Sequence, residues 1–274
     1  MPSTLIRNNF RMDRLPHIWC PGCGHGIIMR AVVQAIESQK LDKKKVCIIS
    51  GIGCSSRAPG YMDFNTLHTT HGRALAFATG VKIANPDLQV IVVTGDGDVA
   101  AIGGNHLIHT ARRNIDITTV VFNNHVYGMT GGQYSPTTPT RGLATTSPFG
   151  NIDKMFDICH LAGAAGATYV ARGTVFHVKP LIGIIEKAIE NKGFSLVEAV
   201  SICPTYYGRR NKKGTAVDMM EELREKAVDV RAAEKLTEEQ KKDKFFIGEF
   251  KNQPEPEYTN EYLKIIEQAK KRSE

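Results

Sequence analysis

Short apolar, β-branched runs alternate with longer amphipathic stretches along most of the chain, and this alternation constrains the fold more than any other feature. The runs predict strands, and the stretches, whose apolar residues recur at spacings of three and four, predict helices. The run Val90-Ile91-Val92-Val93 is apolar throughout, as expected for a strand that is buried on both faces. The pattern predicts an α/β fold with a doubly wound, mostly parallel sheet that is covered by helices on both faces.

The predicted strands cover residues 46–50, 89–94, 117–122, 167–171 and 195–201. The predicted helices between them cover residues 26–39, 74–84, 105–113, 152–162 and 180–191. Residues 128–150 do not follow the pattern, because they are rich in Gly, Thr, Ser and Pro. A loop of this length in a compact domain is usually functional or binds a partner.

The last part of the chain is more charged than the rest, and we expect it to form a C-terminal extension. It contains two helical patterns, over residues 217–236 and 260–272. A chain of 274 residues suffices for one large domain with such an extension. We therefore predict an α/β domain over residues 1–208 and a charged helical tail over residues 209–274, which packs on the core or on a partner subunit.

Composition excludes several classes of protein. Hydrophobic residues make up 42% and charged residues 23% of the chain, so widespread disorder is not expected. No stretch approaches the roughly 18 apolar residues of a membrane-spanning helix, and the polar N-terminus lacks a signal sequence, so we expect a cytoplasmic protein. Lys and Arg outnumber Asp and Glu by 35 to 28, but no aromatic residues interleave with the basic clusters. Such clusters are most often solvated faces, and as a binding surface they favour an acidic protein partner or a phosphorylated substrate over nucleic acid.

A Gly-Asp-Gly sequence and an Asn-Asn pair follow two neighbouring predicted strands, with 25 residues between them. The glycines Gly95 and Gly97 let the main chain approach a diphosphate, and Asp96 and Asn124 offer the oxygen ligands that Mg²⁺ prefers. Open α/β sheets bind ligands at these strand ends. The competing Rossmann fingerprint is absent, because residues 51–56 lack its third glycine.

Six cysteines in a chain of this kind suggest metal or redox chemistry. Cys20 and Cys23 form a Cys-x-x-Cys pair, Cys54 follows the first predicted strand, and Cys203 follows the last. Loops at strand ends can converge, so these four thiols fit a single site for either zinc or an iron–sulfur cluster. The other two cysteines, Cys47 and Cys159, lie within an apolar strand and an amphipathic helix and are predicted to be ordinary buried thiols.

These motifs closely resemble the β subunit of 2-oxoacid:ferredoxin oxidoreductases, and most of all the 2-oxoglutarate type. The resemblance covers about residues 10–215 and rests on residues 19–26, 51–57, 68–73, 95–98, 123–133 and 203–207, in the same order as in the family. It implies a thiamine diphosphate-binding fold, Mg²⁺, a [4Fe-4S] cluster and coenzyme A as co-substrate. The implied reaction is oxidative decarboxylation of 2-oxoglutarate to succinyl-CoA with reduction of ferredoxin.

The resemblance also implies roles for individual residues. Cys20, Cys23, Cys54 and Cys203 would ligate the cluster, while Asp96, Asn124 and the Val126 carbonyl would ligate Mg²⁺. The catalytic candidates are Arg57 for the substrate carboxylate, His71 near the diphosphate and Met129 along the thiazolium. The predicted cofactor-binding residues are Ile52, Gly53, Cys54, Ser55, His71, Gly95, Asp96, Gly97, Asp98, Asn124, Val126, Tyr127, Gly128, Met129 and Thr130.

The resemblance further implies that this chain acts only with partners. Thiamine enzymes need a carboxylate on a second, pyrimidine-binding domain, and we expect an α subunit to supply that Glu in a heteromer such as a dimer of αβ units. Three alternatives stay open: the same chemistry on pyruvate or another 2-oxoacid, a non-catalytic zinc-binding structural subunit, and a non-oxidative thiamine decarboxylase or carboligase. The last of these has no use for four converging cysteines.

Overall fold

The computed structural model describes residues 3–273, which contain ten helices and ten strands. The helices are α1 Thr4–Asn9, α2 His25–Ser38, α3 Ala74–Ala84, α4 Gly104–Arg112, α5 Ile158–Ala164, α6 Val178–Glu190, α7 Ala216–Lys226, α8 Val230–Ala233, α9 Glu238–Lys241 and α10 Tyr258–Ser273. The strands are β1 Val46–Ser50, β2 Asn65–His68, β3 Gln89–Gly95, β4 Thr118–Asn123, β5 Val126–Tyr127, β6 Gln133–Tyr134, β7 Tyr169–Thr174, β8 Ser195–Val200, β9 Ala227–Asp229 and β10 Phe245–Asn252. Within this part of the chain, no helix is both long and apolar enough to cross a membrane.

Eight of these strands form one sheet in the order β2-β1-β3-β4-β8-β7-β10-β9. The six strands from β2 to β7 pair in parallel, and β10 alone runs antiparallel to its neighbour β7. The two-residue strands β5 and β6 form a separate antiparallel hairpin. The prediction of a mostly parallel α/β sheet is confirmed.

The core lies on both faces of the sheet, as a doubly wound fold requires. Helices α2 and α6 pack with Ile91 and Val93 on one face, and α3, α4 and α5 pack with Val90 and Val92 on the other. Successive residues of a strand point to opposite faces, so the uninterrupted apolar run of β3 supplies both halves of the core. All five predicted strands form, with ends that differ by up to three residues.

Two predicted helices are only partly correct. Residues 152–157 are not helical, and α5 begins at Ile158, where the Asp157 side chain accepts a hydrogen bond from His160 N at 3.0 Å. The helix predicted over 217–236 ends at Lys226, because residues 227–229 instead form β9 and pair with β10. The spacing of apolar residues does not reveal these bounds. The start of α5 depends on the Asp157 cap, and the end of α7 depends on the pairing of β9 with β10.

The strands that the sequence did not reveal are the sheet edge β2, the short hairpin β5–β6, and β9 and β10 of the tail. Strand β2 reads Asn-Thr-Leu-His and is only partly buried, so it lacks the apolar run that marks the central strands. Strand β10 extends the main sheet along β7, which places part of the tail in the same sheet as the core. The domain boundary at residue 208 stays a prediction.

Candidate functional site

A cavity of about 310 Å³ opens at the carboxyl ends of β1, β3 and β4. Every residue that was predicted to bind the cofactor lines it, together with His25 and Phe122: Ile52, Gly53, Cys54, Ser55, His71, Gly95, Asp96, Gly97, Asp98, Asn124, Val126, Tyr127, Gly128, Met129 and Thr130. These residues come from four separate segments. The parallel sheet brings them together because its strand ends meet at one edge.

Asp96 is buried at the end of β3, and one of its oxygens is fully engaged. Ser135 Oγ and Thr137 Oγ1 donate to Asp96 Oδ2 at 2.5 and 2.6 Å. Both donors belong to the polar loop that the sequence marked as functional. Burial raises the pKa of Asp96, while the two hydroxyl hydrogen bonds lower it. Because both donors bind Oδ2, Oδ1 is left for a ligand in the cavity.

The Asn-Asn segment is held in place from the side away from the cavity. Asn123 Oδ1 accepts from His125 N at 3.0 Å, and His125 has a φ of 62°, so the chain turns sharply around Asn124. Asn123 Nδ2 donates to the buried Glu198 at 2.6 Å, and Glu198 also accepts from Arg172 Nε at 2.6 Å. The first Asn therefore fixes the turn, and the second lines the cavity.

Asp98 is buried at the wall of the cavity, where it joins residues 71–72 to the end of β3. It accepts from Gly72 N at 2.6 Å and from Thr94 Oγ1 at 2.8 Å. His71 Nδ1 lies 2.7 Å from Asp98 Oδ1, at an angle that does not make a hydrogen bond. Asp98 thus fixes the wall of the cavity and holds the His71 segment against it.

At two positions, Gly97 and Gly51, a neighbouring side chain lies too close to the main chain for any residue but glycine. A Cβ at Gly97 would lie 2.2 Å from the ring of Tyr127, whose hydroxyl donates to the Gly97 carbonyl at 3.1 Å. Burial, followed by the charges of Asp96 and Asp98, raises the pKa of Tyr127 to about 12. A Cβ at Gly51 would lie 2.1 Å from the Asp98 carboxylate. Any larger residue at either position would displace a wall of the cavity.

The four cysteines converge next to this cavity. Burial raises the pKa of Cys23 to about 12, and the charges of Cys203, Cys54 and Cys20 act in the same direction. A Cβ on Gly128 would lie 3.3 Å from Cys54 Sγ and 3.8 Å from Cys203 Sγ. Gly128 and Cys54 also line the cavity, so the two sites share a wall.

The distances between the sulfur atoms of the four cysteines can be compared with those around a zinc ion. Between residues 3 and 273, the one group of three metal-ligating atoms within 4.8 Å of one another is Asp157, Cys159 and Glu198. No three of the four converging sulfurs are therefore that close. A tetrahedral zinc ion with Zn–S bonds of about 2.3 Å holds its sulfurs about 3.8 Å apart. The four sulfurs therefore lie farther apart in this structure than a single zinc ion would hold them.

Burial affects two further thiols of the set, Cys54 and Cys203, in the same way. It raises the pKa of Cys54 to about 11, and the pKa of Cys203 is also raised by burial although main-chain N–H groups of Tyr206 and Tyr207 oppose the change. Cys47 and Cys159 are buried in the core, as predicted. Thiolates are the metal-binding form, so this environment suits cysteines whose charge a metal neutralises.

Comparison with known proteins agrees with this geometry. Residues 51–199 match the family model "Thiamine pyrophosphate enzyme, C-terminal TPP binding domain". The chain is 53% identical over 260 residues to the 2-oxoglutarate synthase subunit KorB of Methanocaldococcus jannaschii, covering 95% of this chain and 96% of the relative. The KorB subunit of Methanothermobacter marburgensis is 51% identical, with 94% and 90% covered. The chain belongs to the KorB family of 2-oxoglutarate synthase subunits.

Comparison with a solved structure shows that the similarity includes the fold. The 2-oxoglutarate:ferredoxin oxidoreductase from Magnetococcus marinus, solved with 2-oxoglutarate, coenzyme A and succinyl-CoA bound, is 35% identical to this chain. It aligns with a TM-score of 0.85 over 98% of this chain and 92% of that one. The recognised family and the type of fold predicted from the sequence are both confirmed.

Two of the three predicted catalytic residues, Arg57 and Met129, are exposed to solvent. Arg57 is exposed and does not line the cavity; its main-chain N–H bonds to the Cys54 carbonyl at 3.3 Å, but its side chain makes no hydrogen bond or ion pair with any residue from 3 to 273. Met129 lines the cavity but is 46% exposed. The sequence reasoning missed Ser135, Thr137 and His25. The signal for the first two was the polar loop, and for His25 it was the neighbouring Cys-x-x-Cys pair.

Proposed function

We propose that this chain is the β subunit of a 2-oxoglutarate:ferredoxin oxidoreductase, which converts 2-oxoglutarate and coenzyme A to succinyl-CoA and CO₂ and passes the electrons to ferredoxin, reversibly. The observation that carries the proposal is the wall shared by the cavity and the four-cysteine site. A cofactor that releases electrons one at a time needs an acceptor within reach. Gly128 and Cys54 give the chain that arrangement.

The cavity fits thiamine diphosphate and Mg²⁺. Ser55 lines it, and the buried Ser55 Oγ has no hydrogen-bond partner among residues 3–273, which leaves this hydroxyl for a ligand. Asp96 Oδ1, the Asn124 side chain and the Val126 carbonyl would hold Mg²⁺, which prefers oxygen ligands. The cation would also remove the repulsion between the diphosphate and the buried Asp96.

The four-cysteine site fits a [4Fe-4S] cluster, with Cys20, Cys23, Cys54 and Cys203 as ligands. Cys23, Cys54 and Cys203 are at least partly buried, and burial raises their pKa values, so the bound form of these thiols needs a positively charged metal group. When bound, the thiamine group supplies the centre that cleaves the bond to the substrate carboxyl, and the cluster accepts single electrons. Zinc, which has no accessible redox states, supplies no such step.

The remaining roles belong to residues of this chain. Arg57 would bind a carboxylate of 2-oxoglutarate, because a guanidinium offers paired donors that match carboxylate geometry. Its exposed position suits a substrate that enters from the side of the partner. Met129 would limit the space beside the thiazolium, and His71 would stand near the diphosphate, held by the wall that Asp98 anchors.

The α subunit would complete the active site. Within the described part of the chain, no glutamate lines the cavity, so a carboxylate that activates the aminopyrimidine has to come from elsewhere. The cavity is bordered by exposed apolar side chains, Ile52 and Met129, which suit burial against another subunit. Ferredoxin and an assembly of two αβ units are the further partners that we propose.

The test is to co-express this chain with its α partner, purify the complex without oxygen and assay a panel of 2-oxoacids with coenzyme A and viologen as electron acceptor. We expect reduction of viologen with 2-oxoglutarate, and visible absorbance from iron–sulfur charge transfer. Higher activity with pyruvate would reassign the substrate. A colourless complex with one zinc per chain and no viologen reduction would favour the structural zinc subunit instead.

A further inference from the structure

His25 lies between the cavity and the four-cysteine site. It is the first residue of α2, its side chain lines the cavity, and its main-chain N–H bonds to the Cys23 sulfur. Only 1% of the residue is exposed. A single residue therefore contacts a proposed cluster ligand through its main chain and the cofactor cavity through its ring.

The two ring nitrogens of His25 have different surroundings. Nδ1 lies 3.2 Å from Ser201 Oγ, while Nε2 makes no hydrogen bond with any residue between 3 and 273. The ring is held edge-on by Phe122 and Trp19, with ring centres 5.2 and 5.9 Å away. His25 lines the cavity, so a ligand there can provide the partner that Nε2 lacks in the protein.

We propose that His25 Nε2 forms a hydrogen bond to the thiamine diphosphate bound in the cavity, while Ser201 orients the ring through Nδ1. The inference rests on the proposed function, since it requires that the cavity hold this cofactor. The hydrogen can sit on either nitrogen, and the Ser201 hydroxyl can donate or accept, so Ser201 holds the ring in both tautomers and Nε2 can donate to the cofactor or accept from it. Ser201 lies two residues before Cys203, which ties the ring to a third segment of the cysteine site.

Two amide substitutions at His25, made in the complex co-expressed with the α subunit, test the two ring nitrogens separately. The Asn amide of His25→Asn reaches the position of Nδ1 and keeps the contact with Ser201, whereas the longer amide of His25→Gln reaches the position of Nε2. We expect His25→Asn to weaken binding of thiamine diphosphate with Mg²⁺ by about 2- to 12-fold, the range for loss of one neutral hydrogen bond. His25→Gln should recover most of the affinity, and both variants should keep the iron content of the wild type.

The control is His160→Asn, which changes an exposed histidine of α5 that does not line the cavity and should leave the affinity unchanged. Equal affinity of the wild type and His25→Asn would overturn the proposed contact. Loss of iron in both amide variants would also overturn it, because His25 would then only support the fold of the cysteine loop. A wild-type complex that binds no thiamine diphosphate would overturn the proposed function itself.

Discussion

The cofactor cavity and the four-cysteine site share a wall but are built in different ways. In the cavity, protein donors already fix the carboxylates of Asp96 and Asp98. In the cysteine site, burial raises the pKa values of Cys23 and Cys54, so the folded chain disfavours the thiolates that a metal needs. The side chains of the cavity are thus fixed by the protein itself, whereas the thiolates of the cysteine site would need the charge of the proposed metal group to become stable.

The largest expected effect on the cavity comes from Asp96→Ala. Loss of this carboxylate removes a proposed Mg²⁺ ligand and leaves Ser135 and Thr137 without an acceptor. Because changes around a metal ligand alone cost about 10- to 100-fold in affinity, loss of the ligand should exceed 100-fold. Calorimetry with thiamine diphosphate and Mg²⁺ measures the loss, and iron analysis should show an intact cluster. Unchanged affinity would exclude Asp96 as a ligand.

The matching change in the cysteine site is Cys20→Ser, since Cys20 does not line the cavity. We expect iron per chain to fall to less than half and viologen reduction to be lost, while thiamine diphosphate still binds. The control is Cys47→Ser in β1, a buried thiol outside the set, which should keep its iron. Full iron in Cys20→Ser, or loss of iron in the control, would break the assignment of the four ligands.

Arg57→Ala tests an exposed residue that lies three positions after Cys54 and does not line the cavity. A charge-assisted hydrogen bond contributes about 1.5 to 3 kcal/mol, so kcat/KM for 2-oxoglutarate should fall by roughly ten- to a few hundred-fold. Arg57→Lys should recover only part of the loss, because a point charge replaces a paired donor. Steady-state kinetics and iron analysis measure both variants, with Arg30→Ala, another exposed arginine away from the cavity, as control. A wild-type kcat/KM would assign the carboxylate to the α subunit.

The last prediction concerns Thr137, whose hydroxyl donates to Asp96 at the proposed Mg²⁺ site. Thr137→Val keeps the shape of a buried side chain but removes the hydroxyl that donates to Asp96, and it should weaken Mg²⁺-dependent cofactor binding by about 10-fold. Thr119→Val is the matched control, because the buried Thr119 hydroxyl has no hydrogen-bond partner among residues 3–273. Equal affinities of the two variants would show that the cavity does not depend on this donor.

The central sheet and the position of the Gly-Asp-Gly turn were predictable because their signals are local. An apolar run such as Val90–Val93 forms a buried strand wherever both faces are covered, and a Gly-Asp-Gly at its end faces the ligand edge of any open α/β sheet. The strands β2, β9 and β10 carried no such signal. They form because a neighbouring strand offers hydrogen bonds, which residue spacing does not encode.

By itself, the sequence determined the α/β alternation, the residues that converge on the cavity and the family to which the chain belongs. Only the tertiary structure decided that Gly128 joins the cavity to the cysteines, that Ser135 and Thr137 hold Asp96, and that the His25 ring faces the cavity. Local patterns fix which segments form strands and which turns follow them. Contacts between segments far apart in the chain depend on how the sheet brings their ends together, and that is settled only when the whole core packs.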